Sequence, residues 1–208
     1  MNTKLWDRIE QARADWNVLK HPFYQRWSAG ELTRDELADY SGQYRYATEA
    51  IARMSSDIAA AAPSKDRAGL ETHAEEEASH VAMWDGFVNE VGGTVGAEPN
   101  AETLECVEAW TKADGFGKQL ARMYAVESGQ PLISKTKTEG LSAHYDIYDG
   151  PGNQYFTIHE TMDVDHAEAG RNLIERHMND FSEDELATAA EEAFKANWRL
   201  LDGVCPSC

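Results

Sequence analysis

Thr33-Arg-Asp-Glu36 is followed by Leu37-Ala-Asp-Tyr40-Ser-Gly-Gln-Tyr44 and by a run that stays free of proline until Pro63. Thr-x-x-Glu is a capping box: the Thr hydroxyl accepts from the backbone N–H three residues on, and the Glu carboxylate reaches back. It predicts one long helix from the mid-30s to just before Pro63, which no strand of ordinary length could replace. Residues 64–91, stopped by Gly92-Gly93, continue the pattern as a second long helix. Outward from this pair lies a helix from Leu5 to about Leu19, anchored by Trp6, Ile9 and Trp16. His21-Pro22 then opens a short turn through Trp27. Downstream, helices are expected over about 101–129 (bent near Gly115 and Gly117), from Pro131 to about Tyr148, and over 154–179. Asp149-Gly-Pro-Gly-Asn153 reads as a loop, and Ser182-Glu-Asp-Glu185 caps a last helix ending near Asp202-Gly203. No segment alternates as a strand does. The expectation is an all-α chain, one compact bundle of about seven helices over residues 1–203, with a tail at 204–208.

The chain has 208 residues, enough for one helical domain with a full core. Asp and Glu number 37 against 19 Lys and Arg, a formal net charge of -18. A face able to neutralise phosphates is missing, which argues against nucleic acid and equally against anionic membranes. Charge of this size suits a high-salt, halophilic cytoplasm. The amphipathic N-terminus MNTKLWDRIEQARADW has no apolar signal core, so a cytoplasmic location is expected. Three cysteines make no disulfide framework; Cys106 reads as core, and Cys205 and Cys208 form a terminal CPSC.

Chemistry concentrates in three places. His159-Glu-Thr-Met-Asp163-Val-Asp-His166 puts two imidazoles and a carboxylate at i, i+4 and i+7, one stripe of a continuous helix and a donor set suited to Fe or Mn. His73-Ala-Glu-Glu76-Glu77-Ala-Ser-His80 contains Glu-x-x-His, the spacing of helical di-iron carboxylate proteins, with Glu76 and His73 near the same face. Glu127 follows an apolar stretch and precedes Pro131; it is either an inward carboxylate that a metal satisfies, or the partner of Arg122 or Lys135. Each cluster alone could be solvated acidic surface. Five of the seven histidines are His73, His80, His144, His159 and His166, and that concentration favours metal.

These segments resemble the haem-oxygenase-like helical family that includes PQQ-synthesis protein C, the TenA thiaminases and di-metal oxidases. The resemblance runs through His21-Pro-Phe-Tyr-Gln-Arg-Trp27, Tyr40-Ser-Gly-Gln-Tyr-Arg-Tyr46, His80-Val-Ala-Met-Trp84, Tyr124-Ala-Val-Glu127, Lys137-Thr-Glu-Gly-Leu141, Tyr155-Phe156 and Leu200-Leu-Asp-Gly203. It looks closest to the p-aminobenzoate-forming di-metal branch of the chlamydial death-domain-associating protein. That resemblance implies a metal set of Glu76 or Glu77, His80, Glu127, His159, Asp163 and His166, with His73 as the alternative first ligand. It also implies two metal ions (Fe/Fe or Fe/Mn), dioxygen and an external reductant. Tyr24 stands where the self-consumed tyrosine is expected, Tyr40 matches a second site tyrosine, and Lys137 matches the amino donor. Val126 departs from the aromatic residue expected beside Glu127. The thiaminase pattern is broken twice: Leu120–Val126 holds no cysteine, and Gln43 stands in place of an aspartate. The alternatives are a di-iron oxygenase with an external substrate, such as an amino acid or fatty acid, and a metal-free binding or salvage member. A homo-oligomer, a dimer, is expected.

Overall fold

The computed structural model describes residues 3–205. Ten α-helices run through them: α1 (Thr3–Asp15), α2 (Pro22–Ala29), α3 (Arg34–Ala61), α4 (Ser64–Glu90), α5 (Ala101–Trp110), α6 (Phe116–Glu127), α7 (Gln130–His144), α8 (Pro151–His159), α9 (Met162–Arg176) and α10 (Glu183–Val204). Among the described residues there is no strand, and the all-α bundle stands as expected. No helix is long and apolar enough to cross a membrane.

The capping box forms as the sequence dictates. Glu36 N donates to Thr33 Oγ1 at 3.2 Å, and Thr33 N donates to Glu36 Oε2 at 2.8 Å. The long α3–α4 pair it opens is the spine of the molecule. Its inner faces carry Tyr40, Tyr44, Ile51, Met54 and Ile58 from α3 and His80, Trp84 and Phe87 from α4, all buried. Helices α6 and α8 pack onto that spine, α9 packs on α6 and reaches α4 through His166–Glu76 and Arg176–Asp66, and α10 closes the bundle against α1, α5 and α6.

Several boundaries differ from the sequence expectation: the expected turn through Trp27 is helix α2, α1 ends at Asp15, and α7 ends at His144. The 101–129 segment is two helices, not one bent helix. The chain turns between α5 and α6 through Gly115 at φ +122°, a region that side-chain-bearing residues rarely enter. The Asp149–Asn153 loop is half helix, because Pro151 occupies the first turn of α8, where its missing N–H costs nothing. The 154–179 segment breaks at Glu160-Thr161, so His159 ends α8 while Asp163 and His166 lie on α9. Thr161 Oγ1 donates to Ile158 O at 3.2 Å, a local bond that competes with helix continuation. At the C-terminus α10 continues through Val204, and both Val204 and Cys205 are buried in the core. Cys208 lies outside the described residues.

Candidate metal centre

Glu77 is the hub. One of its oxygens belongs to a group with His73, Glu127 and His166, whose donor atoms all lie within 4.8 Å of one another. Glu77 also forms a second such group, with His80 and His159. Helix α4 supplies His73, Glu77 and His80 at i, i+4 and i+7, one stripe facing inward. Glu127 comes from the last turn of α6, His159 from the end of α8 and His166 from α9. The break at Glu160-Thr161 therefore has a consequence: His159 goes to one group and His166 to the other, instead of sharing one stripe.

The individual contacts describe lone pairs that converge. His73 Nε2 approaches Glu127 Oε1 to 2.8 Å, His80 Nδ1 lies 3.3 Å from Glu77 Oε1, and His159 Nε2 lies 4.0 Å from Glu77 Oε2. His166 Nδ1 lies 3.6 Å from Asp163 Oδ1 and 3.9 Å from Glu77 Oε1. None of these His73, His80, His159, His166, Glu127 or Asp163 atoms has a hydrogen-bond partner of acceptable geometry, and both Asp163 oxygens are orphaned. Orphaned buried polar groups are rare and costly. Here seven such atoms gather in one place.

Electrostatics sharpens the point. Glu77, Glu127 and Asp163 are buried carboxylates, and among the described residues no Lys or Arg pairs with any of them. Arg122, a partner open to Glu127 at the sequence level, instead binds Asp114 and Glu192, while Lys135 faces Glu139. Burial pushes the Glu127 carboxyl up. Burial also opposes charge on His166, yet Asp163, Glu127 and Glu77 raise its imidazole to about 9. Glu77 is pulled the other way: burial is outweighed by His159 and His80, which hold it well below the usual carboxylate range. Three carboxylates and four imidazoles in one buried volume fit two divalent cations, which would neutralise the carboxylates and take up the free lone pairs. His159 is oriented for this, since its Nδ1–H donates to Tyr155 O at 2.7 Å and leaves Nε2 facing Glu77.

Of the two glutamates left open by sequence, Glu77 is central. Glu76 is 40% exposed, and among the described residues its carboxylate pairs with His166 alone, Oε2 to Nε2 at 3.2 Å. His73, the alternative to both, sits inside the first group. His144 lies far from the centre, its Nε2 against Ser28 O.

Beside this centre is a closed aromatic chamber. Lys137 Nζ is buried over the rings of Tyr44 (4.6 Å), Phe156 (5.1 Å), Trp84 (5.3 Å), Tyr40 (5.4 Å) and Tyr24 (5.7 Å). Among the described residues no carboxylate lies within 4 Å of it, and burial pushes its pKa well below the usual lysine value. The Tyr24 and Tyr40 hydroxyls are 3.4 Å apart, and burial raises both pKa values. Trp27 Nε1 donates to Lys137 O at 3.2 Å and so ties α2 to α7. Tyr155 joins the two places: its ring stacks on His159 at 3.9 Å and meets the edge of Trp84 at 4.9 Å. Sequence reasoning gave Tyr155, Trp84 and Tyr44 no role. The available signal was i,i+4 spacing: Tyr155 to His159, His80 to Trp84, and Tyr40 to Tyr44 each share a helix face.

A family model described as an iron-containing redox enzyme matches residues 42–201, which hold every member of both groups. The chain belongs to this family. Curated relatives include the 4-aminobenzoate synthase of Chlamydia trachomatis, 28% identical over 97% of this chain and 94% of that one. The 4-aminobenzoate synthase of Nitrosomonas europaea is 29% identical over 95% of this chain and 88% of its own. Among solved structures, a TenA homologue from Pseudomonas syringae pv. tomato superposes with a TM-score of 0.84, covering 98% and 91% of the two chains at 14% identity. A TenA homologue from P. horikoshii OT3 gives 0.78 at 14% identity over 98% and 99%. A Shewanella denitrificans domain with a heme oxygenase-like fold gives 0.79 at 18% identity over 95% and 90%. These likenesses establish the fold, as the sequence resemblance implied. The iron-containing redox family and the buried His/carboxylate groups together make this a metal-binding, enzyme-like site.

Proposed function

We propose that the protein is a di-metal (Fe/Fe or Fe/Mn) oxygen-activating oxidase that forms 4-aminobenzoate from its own Tyr24, with Lys137 as amino donor. The observation that carries the reading is Lys137 Nζ, held with no counter-ion among the described residues against Tyr24 and Tyr40, in a chamber one aromatic ring away from His159. The relatives named as 4-aminobenzoate synthases support it.

His73, Glu77, Glu127 and His166 would hold one ion, and Glu77, His80 and His159 the other, with Asp163 beside His166. When bound, the two ions supply the coupled electron chemistry that activates dioxygen, at the expense of an external reductant. The chain's own residues do the rest. Burial lowers the Lys137 pKa and so favours the neutral amine, the form whose lone pair is free for bond formation. Tyr40 Oη lies close enough to Tyr24 Oη to accept a proton from it as Tyr24 is oxidised. Phe23, Trp27, Trp84 and Phe156 exclude water from the chamber. Such a protein turns over once, because its reagent is a side chain.

The test is metal analysis of the purified chain with intact mass and product detection before and after addition of reductant and oxygen. Two metals, mass changes mapped to both Tyr24 and Lys137, and release of 4-aminobenzoate are expected. A fully loaded protein whose mass stays unchanged and which releases no product would refute self-consumption.

A further inference from the structure

Trp6 on α1 is 5% exposed, yet its indole Nε1–H has no acceptor among the described residues. The other three buried tryptophans each satisfy theirs: Trp27 donates to Lys137 O, Trp84 to Ser41 O and Trp110 to Ala193 O. A buried N–H left without a partner is destabilising, and a phenylalanine would fill most of the same space without stranding one. Bulk alone therefore does not explain an indole at this position. What the indole adds is a ring that gives up an electron more readily than a phenyl ring does.

The surroundings of Trp6 lead from the metal centre to the surface. Its ring meets that of Tyr124 edge-on, with centroids 5.1 Å apart and planes at 64°. Tyr124 lies one turn before Glu127 on α6, and it shares with His73, Glu127 and His166 part of the lining of a cleft. The guanidinium of Arg171, a partly exposed residue of α9, lies 4.4 Å from the centre of the Trp6 ring. Glu127, Tyr124, Trp6 and Arg171 thus run stepwise from the ligand set to solvent. Neither Tyr124 nor Trp6 is among the rings around Lys137 Nζ, so this route is separate from the chamber.

An oxygen-activating centre draws electrons from an external donor, and electron transfer falls off steeply with distance. A buried centre is served best through rings in contact. With no acceptor for its Nε1–H, the Trp6 indole loses an electron without losing its proton. Arg171 over its face disfavours positive charge on the ring, because a cation is attracted to a neutral ring and repelled by an oxidised one. Trp6 therefore yields an electron only to a strong oxidant, and the vacancy is refilled rather than held. Among the described residues only the Nε of Arg171 is engaged, by Glu175 at 3.3 Å, which leaves its Nη groups to meet an anionic donor on a chain of net charge -18.

We infer that Trp6 is the electron inlet of the metal centre. Trp6 gives one electron, across the ring of Tyr124, to the centre that an oxidant has left short of it, and becomes an indole radical cation. A one-electron donor at the Arg171 surface, of the ascorbate class, then returns one electron to Trp6 and releases its own proton to solvent. The centre gains one electron, the donor loses one, and Trp6 ends as it began. The inference deepens the metal-centre reading and rests on it, but not on the formation of 4-aminobenzoate.

The full-length, iron-loaded chain mixed with hydrogen peroxide, with and without ascorbate, tests the inference. Freeze-quench paramagnetic resonance and peptide mass mapping are the readouts, and iron content is measured on every sample. Without ascorbate, an indole radical is expected, with oxygen added at Trp6 at least tenfold more than at the less buried Trp16. Ascorbate should suppress both signals. Trp6→Phe keeps an aromatic ring in place, so iron content and helical circular dichroism should hold while ascorbate consumption slows at least tenfold. Tyr124→Phe, which keeps the bridging ring, should leave the rate unchanged, and Tyr124→Leu should slow it. A loaded chain in which Trp6 stays unmodified, or in which Trp6→Phe consumes ascorbate as fast as wild type, overturns the inlet and leaves the metal centre standing. A chain that takes up no iron refutes the metal centre and the inlet with it. Mass change at Tyr24 is read in the same maps and bears only on 4-aminobenzoate formation.

Discussion

Replacing Lys137 with Met removes a charge site from the aromatic chamber while keeping an unbranched side chain of similar length. Lys137 is 1% exposed, with no carboxylate partner among the described residues, and burial sets its folded-state pKa well below 10.5. In the unfolded chain the same amine titrates at about 10.4. Between the two values the unfolded state binds one more proton than the folded state, so stability rises with pH by about 1.4 kcal/mol per unit. Below the folded pKa the full penalty is in force; above 10.5 it has vanished. The five surrounding rings return only a fraction of it, about 2 kcal/mol or less in cation–π attraction to whatever protonated amine is present. Lys137→Met should then be the more stable protein at pH 7, and its lead should fall by about 1.4 kcal/mol for each pH unit between the two pKa values. The advantage should shrink steadily as pH rises towards 10. The neighbouring phenols of Tyr24 and Tyr40 are raised by burial and stay protonated across that window, so they cancel between the two proteins. Denaturant unfolding of both proteins from pH 7 to 10 measures the difference. A gap that does not change with pH, or a variant less stable than wild type throughout, would refute the claim that burial disfavours the charged amine. With it would go the physical basis for Lys137 as a nitrogen donor.

The remaining predictions concern the centre itself. Glu77→Ala should abolish metal uptake at both groups, because its two oxygens face both, whereas His159→Ala should spare the His73/Glu127/His166 group; elemental analysis per chain distinguishes two, one and zero equivalents. Tyr24→Phe should keep both metals and the chamber's packing while releasing no 4-aminobenzoate, and product formation by that variant would move the role to Tyr40. Thiamine and its degradation products should not be hydrolysed, since Leu120–Val126 offers no thiol and Gln43 is occupied by Glu98 O, Asn100 N and Thr103 Oγ1; chromatographic release of the pyrimidine would contradict this.

The helices themselves were legible because their determinants are local. The Thr33 box, Pro63 and Ser182 act on backbone groups within four residues, and a 3.6-residue period is written along the chain whether or not it has folded. The same period shows that Glu77 and His80 face one way on α4. It carries no information about which helix that face meets, because an amphipathic stripe is satisfied by any complementary surface. Only packing decided that His73 faces Glu127 while Glu76 stays half-exposed, since a rotation of α4 by a fraction of a turn would exchange them. The break at Glu160-Thr161 escaped the sequence for a related reason: Thr and Glu are acceptable inside a helix, and the chain parts there as His159 and His166 turn to different groups. Tyr24 and Lys137 stand more than 100 residues apart, and nothing local relates them. They meet because Trp27, three residues from Tyr24, seats its ring on α7 and donates to Lys137 O, so that burial of a large aromatic surface, a property of the whole core, fixes where the amine points.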